Sequence, residues 1–321
     1  MQAVVYETYG APNVLHLKEI ATPEVADDGV LVRVRAASVN PLDWHFMRGL
    51  PYIVRVSEGL RHPKRSSLGV DVAGVVEAVG TAATTFQSGD EVFGHCQGAF
   101  AEFVRGRAHN FAPKPANLSF TQAAAIPVAG YTALQALRDK GDLTSGQRVL
   151  INGAAGGVGT FAVQIAKAFG AEVTAVCSTR NLDLVRSIGA DHVVDYTQQD
   201  FTHAGQRYDL ILDIAANHSL AAYRRVLVPD GTLVLIGAAR GQWIGPVARP
   251  LSGLVRSRFV SQRMVPLLAK HSKDDLIALK ELIEAGKVTP VIDRTYPLSE
   301  TADAIRYLEA GHARGKVVLT V

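Results

Sequence analysis

Short runs of β-branched and alternating residues fill the first part of the chain: VVYE, VLHLKEI, GVLVRVRAASV, GVDVAGVVEAVG, DEVFGHC and AFAEFVRG. Glycine, proline and acidic turns separate them. Alternation of apolar and polar positions predicts strands with one buried face, so residues 1 to about 125 read as a compact, partly barrel-like β domain. Around Pro127 the period changes, and AAAIPVAGYTALQAL carries apolar residues at helical spacing. Beyond it, the runs RVLIN, EVTAVCS, HVVDY, DLILDIA and TLVLIGA alternate with helical stretches, the order of a doubly wound parallel sheet. The tail returns to strand chemistry in TPVIDRTYPL and KVVLTV, on either side of a helix from about Glu300 to Ala310. The expected division is residues 1–125 together with 287–321, and 126–286.

One stretch of the second part carries chemistry. Arg148 to Asn152 is a short buried-strand pattern, Ala154 to Gly159 is a run of small residues, and Val158, Phe161, Ala162, Ile165 and Phe169 recur at helical spacing. Gly170 closes that helix, and Glu172 to Cys177 is a second strand. In a strand, glycine turn, helix and strand of these lengths, the free amides at the helix start bind a pyrophosphate. Of the usual G-x-G-x-x-G, the first position is Ala154, while Gly156 and Gly159 are kept. Ala154, Gly156, Gly157 and Val158 are therefore candidate cofactor-binding residues.

Length and charge narrow the classes further. A chain of 321 residues suffices for two domains, and a net charge of +3 argues for neither nucleic acid nor stable membrane insertion. Cys96 and Cys177 are too few for a disulfide framework and read as buried small residues. The opening MQAVVYETYG lacks the basic start and apolar core of a targeting segment, so the expected compartment is the reducing cytoplasm. Between Arg240 and Lys273, Arg249, Arg256, Arg258, Arg263 and Lys270 also stand among apolar residues. That segment reads as a solvated helical face over a packed one, with a mobile flap or an acidic-lipid contact as the sharper alternative.

The motifs VRVRAASVNPLDW, GVDVAGVVEAVG, GDEVFG, AAGGVG, GADHVVDY and GKVVL resemble, from end to end, the medium-chain dehydrogenase/reductase superfamily. Within it they resemble the zinc-free quinone oxidoreductase and alkenal/enone reductase branch. The resemblance implies an α/β chain with a GroES-like β-rich catalytic domain and a Rossmann domain. Zinc-dependent members place Cys, His, an acidic residue and Cys where this chain has Asn40, Val70, Asp71 and Val128. Asparagine and two valines cannot supply the nitrogen and sulfur ligands of a catalytic zinc, so no metal is expected.

The cofactor implied is NADPH. NAD-preferring sites carry Asp or Glu at the end of the second strand, whereas this chain has Ser178, Thr179 and Arg180, with no carboxylate until Asp183. A hydroxyl and a guanidinium attract the 2′-phosphate that a carboxylate would repel. Tyr196 matches a phosphate-contacting tyrosine of similar reductases, and Asn40, Thr132, Ala215, Gly237 and Phe259 match positions around the nicotinamide. Thr132 is expected at a helix start, where capping is its alternative role. Asn40, Asp43 and Tyr52 match residues lining the substrate cleft and are the catalytic candidates, while His45 reads as structural. The resemblance further implies a homodimer acting on a small quinone or enone. A nicotinamide-binding sensor or structural protein on the same fold is the rival reading.

Overall fold

The computed structural model describes residues 1–237 and 261–321. Contacts divide the chain into two units, one of residues 1–131, 271–284 and 290–321, the other of 132–270 and 285–289.

The first unit pairs β1 (Gln2–Val5) with β2 (His16–Glu19) as an antiparallel ribbon. Its larger sheet contains β3 (Gly29–Val39), β4 (Asp71–Val79), β5 (Glu91–His95), β6 (Phe103–Arg107) and β7 (Phe111–Pro113). β14 (Ile292–Pro297) and β15 (Lys316–Thr320) complete it in the order β14-β15-β3-β4-β5-β7, with β6 also on β3. Alternation explains β3: Val30, Val32 and Val34 enter the core while Arg33 and Arg35 stay exposed. Each such aliphatic side chain gains about 1.5–3 kcal/mol on burial. β7 escapes the sequence pattern because three residues are too few to alternate. Its place is set instead by Phe111, fully buried against the same core.

Three helices of this unit matter below: α1 (Pro41–Arg48), α2 (Val54–Glu58) and α3 (Phe120–Ala124), the last capped by the Ser119 hydroxyl. α4 (Pro127–Gln135) follows. The helix Lys273–Glu284, which the sequence pattern groups with the parallel sheet, packs here. Its Leu279 lies against Gly130, the Ile283 carbonyl accepts from Asn117, and the Glu284 carboxylate accepts from the Ala116 amide.

The second unit is a six-stranded, all-parallel sheet of β8 (Arg148–Asn152), β9 (Glu172–Cys177), β10 (His192–Asp195), β11 (Tyr208–Asp213), β12 (Leu227–Leu235) and β13 (Arg263–Pro266). The order β10-β9-β8-β11-β12-β13 sends the chain outward from β8 in one direction and then from β11 in the other. Ligands of such sheets bind beyond the carboxyl ends of the strands where the order reverses. α5 (Gly157–Ala168) is buried from Gly159 to Ala166, as a crossover helix must be.

In the described part of the basic segment, β13 stands at Arg263–Pro266 where the sequence pattern predicts a helical face. Arg263 heads a strand paired with β12 and donates to Asp142 at 2.8 Å, and the Lys270 backbone exchanges two hydrogen bonds with the Gln135 amide. Arg240, Arg249, Arg256, Arg258 and Phe259 lie outside the described residues.

Candidate active site

The glycine turn is built from the end of β8. Gly153 takes φ of 95°, a left-handed conformation that only glycine adopts cheaply, and the amides of Gly153 and Ala154 donate to the Val176 carbonyl on β9. The sequence motif does not include Gly153, although a glycine closing an apolar run is its signal. A Cβ on Gly159 would stand 2.2 Å from the Gly153 carbonyl oxygen, so the helix presses directly on the turn. A Cβ on Gly156 would meet nothing nearer than 3.7 Å, so this position faces open space. Gly156 caps α5 without a side chain, which leaves the first-turn amides, among them Gly157 and Val158, for an outside acceptor. Ala154 is fully buried with its amide committed, and it packs instead. These features fit a dinucleotide pyrophosphate.

At the end of β9, Ser178 is half-buried and Arg180 exposed. The Asn181 amide donates to the Ser178 hydroxyl at 3.1 Å, while its own buried oxygen has no hydrogen-bond partner. A carboxylate does stand at this corner, from the neighbouring strand: Asp195 pairs in register with Cys177. It accepts from the Thr179 hydroxyl at 2.6 Å and from the hydroxyl and amide of Thr197. The Thr179 bond, followed by those from Thr197, holds it below the usual carboxylate range. Three donors thus occupy its acceptor positions and turn its oxygens toward the protein, while the carboxylate stays ionised. Tyr196 follows, half-exposed, at the end of β10.

Ala215 and Gly237 lie just past the carboxyl ends of adjacent strands β11 and β12. Beneath them, Asp213 is fully buried; its carboxylate accepts from Tyr223, Asn152 and the Ala216 amide, and its backbone carbonyl accepts from the Gly237 amide at 3.0 Å, so it ties down both loops. Thr132 is not at a helix start. It is the sixth residue of α4 and buried, so the capping role does not apply.

In the first unit, the catalytic candidates meet a residue the sequence pattern does not single out. Lys316, heading β15, is buried and donates to the Asn40 side-chain oxygen at 2.6 Å and to Asp71 at 3.4 Å. The Asn40 amide donates to the Ser38 carbonyl and to Asp71, which also accepts from the Ser38 hydroxyl and the Val128 amide. Asn40 therefore spends its polar atoms on the protein and holds this cluster together. A lone lysine at the head of an otherwise apolar strand is the signal for Lys316.

Asp43 is equally enclosed, one oxygen accepting from the Asn40 backbone N–H at 2.7 Å and the other from that of Gly69 at 3.2 Å. Burial pushes its carboxyl up to about 7, against those two bonds. The folded state then keeps a proton that the unfolded state has lost, so stability falls as pH rises from about 4 to about 7. The slope reaches at most about 1.4 kcal/mol per pH unit. Asp43→Asn should flatten this contribution, as read from urea midpoints across that window. An identical pH slope in the variant would remove Asp43 as its source.

These positions do not fit zinc. Val70 and Val128 carry no donor, the Asn40 oxygen already accepts from an ammonium, and Asp71 is shared among four donors. Tyr52, half-buried before α2, stacks with the Arg55 guanidinium, 5.0 Å from its ring centroid. His45 donates through Nδ1 to the Leu50 carbonyl, 2.7 Å away, and burial lowers its affinity for a proton, in keeping with a structural role.

Residues 26–116 match the family model for the alcohol dehydrogenase GroES-like domain, and 188–319 that for zinc-binding dehydrogenase. The chain is 36% identical to the 2-methylene-furan-3-one reductase of Solanum lycopersicum, over 99% of this chain and 79% of that protein. The chain belongs to the medium-chain dehydrogenase/reductase superfamily. Within this superfamily it is also 35% identical to the chloroplastic NADPH-dependent alkenal/one oxidoreductase of Arabidopsis thaliana, again over 99% of this chain and 79% of that protein. The solved quinone oxidoreductase of Coxiella burnetii superposes with a TM-score of 0.89 at 31% identity, covering 100% of this chain and 99% of that one.

Proposed function

We propose that this protein is an NADPH-dependent oxidoreductase that reduces quinones, or the C=C bond of α,β-unsaturated carbonyl compounds, without a metal. The observation that carries the reading is the Lys316–Asn40–Asp71 cluster: an ammonium engages the residues at two positions where zinc-dependent members hold their metal. Without a Lewis acid, alcohol oxidation lacks its main electrostatic support. A conjugated acceptor needs less, because its own carbonyl spreads the charge that arrives.

NADPH, when bound, supplies the hydride. Gly156, Gly157 and Val158 receive its pyrophosphate, Ser178, Arg180 and Tyr196 its adenosine phosphate, and Thr132, Ala215 and Gly237 orient the nicotinamide. Tyr52 donates a hydrogen bond to the acceptor oxygen, and Asn40 and Asp43 hold the surrounding loop in place. The names of the tomato and Arabidopsis relatives support this substrate class. Among the described residues no helix is long and apolar enough to cross a membrane, and the chloroplastic Arabidopsis relative leaves the cytoplasm as a proposal.

The test is NADPH oxidation by the purified protein with 1,4-naphthoquinone and a medium-chain enone, beside a saturated primary alcohol with NADP⁺. Reduction of quinone or enone that survives chelation is expected. Brisk alcohol oxidation alone would overturn the assignment, and NADPH binding without any turnover would turn it into a sensor. Arg180→Ala should weaken NADPH by about 1.5–3 kcal/mol and leave NADH nearly unchanged. Equal losses for both would show that Arg180 does not read the phosphate. Tyr52→Phe should lower kcat about fivefold to tenfold, the worth of one hydrogen bond at the transition state, with cofactor affinity unchanged. An unaltered kcat would remove Tyr52 from the chemistry.

A further inference from the structure

We propose that the segment 50–66 is a peripheral membrane contact that docks on an anionic lipid bilayer. Ile53, Val56 and Leu60 are 57%, 70% and 73% exposed, a cluster of large apolar side chains within eight residues. Ile53 and Val56 stand one turn apart at the start of α2, which places them side by side on its surface.

The protrusion is built by its inner side. The Arg55 guanidinium lies over the Tyr9 ring at 4.5 Å and donates to the Gly49 carbonyl, and the Tyr9 hydroxyl donates to the Gly59 carbonyl at 2.7 Å. The Lys64 amide closes the loop onto the Glu58 carbonyl, and its ammonium caps the Ser57 carbonyl at 3.0 Å. With polar groups and rings engaged inward, the aliphatic side chains are left to project outward.

Charge selects the occupant. Arg61, Lys64 and Arg65, which follow the apolar residues in the chain, are exposed, whereas Glu58, the single acid of the segment, is turned inward with its side chain 13% exposed, 3.9 Å from Arg65. A second copy docking through the same face would bring these cations against one another. An anionic bilayer instead offers headgroups to the cations and acyl chains to Ile53, Val56 and Leu60. The net charge of +3 for the whole chain conceals this local concentration. Docking there carries Tyr52 to the lipid surface, where apolar quinones concentrate.

Vesicle flotation tests the proposal on the full chain. Wild-type protein should float with phosphatidylcholine vesicles containing roughly one third phosphatidylserine, and not with phosphatidylcholine alone. Raising the salt should release it. Val56→Asp with Leu60→Asp should abolish flotation, with NADPH-dependent naphthoquinone reduction serving as the folding check. Arg61→Ala, Lys64→Ala and Arg65→Ala together should weaken vesicle affinity roughly a hundredfold, from about 1 kcal/mol for each cation. Absence of wild-type flotation at low salt overturns the proposal, as does flotation unchanged in the aspartate variant. A dimer lost in that variant, without lipid affinity in the wild type, would make this face an interface between copies.

Discussion

Replacing Lys316 with methionine should destabilise the protein by about 3–5 kcal/mol, the range for removing one partner of a buried ion pair. The lysine side chain is 4% exposed and Asp71 is fully buried, so neither ion reaches solvent. Burial lowers the lysine's hold on its proton, and the Asp71 charge opposes this more strongly than any other neighbour. Methionine keeps most of the aliphatic stem but leaves Asp71 charged with Ser38, Asn40 and the Val128 amide as its donors. Those three donors place the loss nearer the lower limit. The Asn40 oxygen also loses its acceptor bond, at about 1–3 kcal/mol for an orphaned buried group. The double variant Lys316→Met with Asp71→Asn should recover much of the loss, because no uncompensated charge remains. Urea unfolding of the four proteins in the cycle measures the coupling. A single-variant loss below about 1 kcal/mol would show that the pair is solvated and that the cluster does not organise Asn40.

Two alanine substitutions in the glycine turn should separate stability from cofactor binding. Gly159→Ala should cost about 3 kcal/mol of stability, at the top of the range for overpacking. Inside a helix, alanine for glycine ordinarily gains up to about 1 kcal/mol in propensity. Here the added carbon would stand 2.2 Å from the Gly153 oxygen and 2.7 Å from Ala154 backbone atoms, and backbone cannot step aside as a flexible side chain can. The clash outweighs the propensity. Gly156→Ala should leave stability within about 0.5 kcal/mol, because nothing lies within 3.7 Å of the new carbon and φ is −83°. It should nevertheless weaken NADPH, since the open space in front of this residue is where a pyrophosphate approaches. Thermal melts and fluorescence titration with NADPH check both. Equal melting temperatures with equal NADPH affinities would mean that the turn does not hold the cofactor.

Sequence alone determined the elements whose cause is local. Alternation places β3 because a strand exposes successive residues to opposite faces, and the apolar run at 148–152 places β8 because parallel strands are covered on both sides. The glycine turn is legible because backbone sterics act over a few residues, although Gly153, whose φ of 95° makes the bend, falls outside the motif. Tertiary structure decided what strand pairing brings together. Lys316 reaches Asn40 across 276 residues only because β15 lies antiparallel to β3, and that contact turns Asn40 from a catalytic candidate into a support. Asp195 arrives beside Thr179 because β10 pairs with β9, so the corner that lacks a carboxylate in sequence has one in space. β13 forms among cationic residues because an edge position on β12 outweighs their local pattern. Helical spacing is the same whether a helix covers one sheet or another, and only the contacts of Leu279, Ile283 and Glu284 assign the helix Lys273–Glu284 to the first unit.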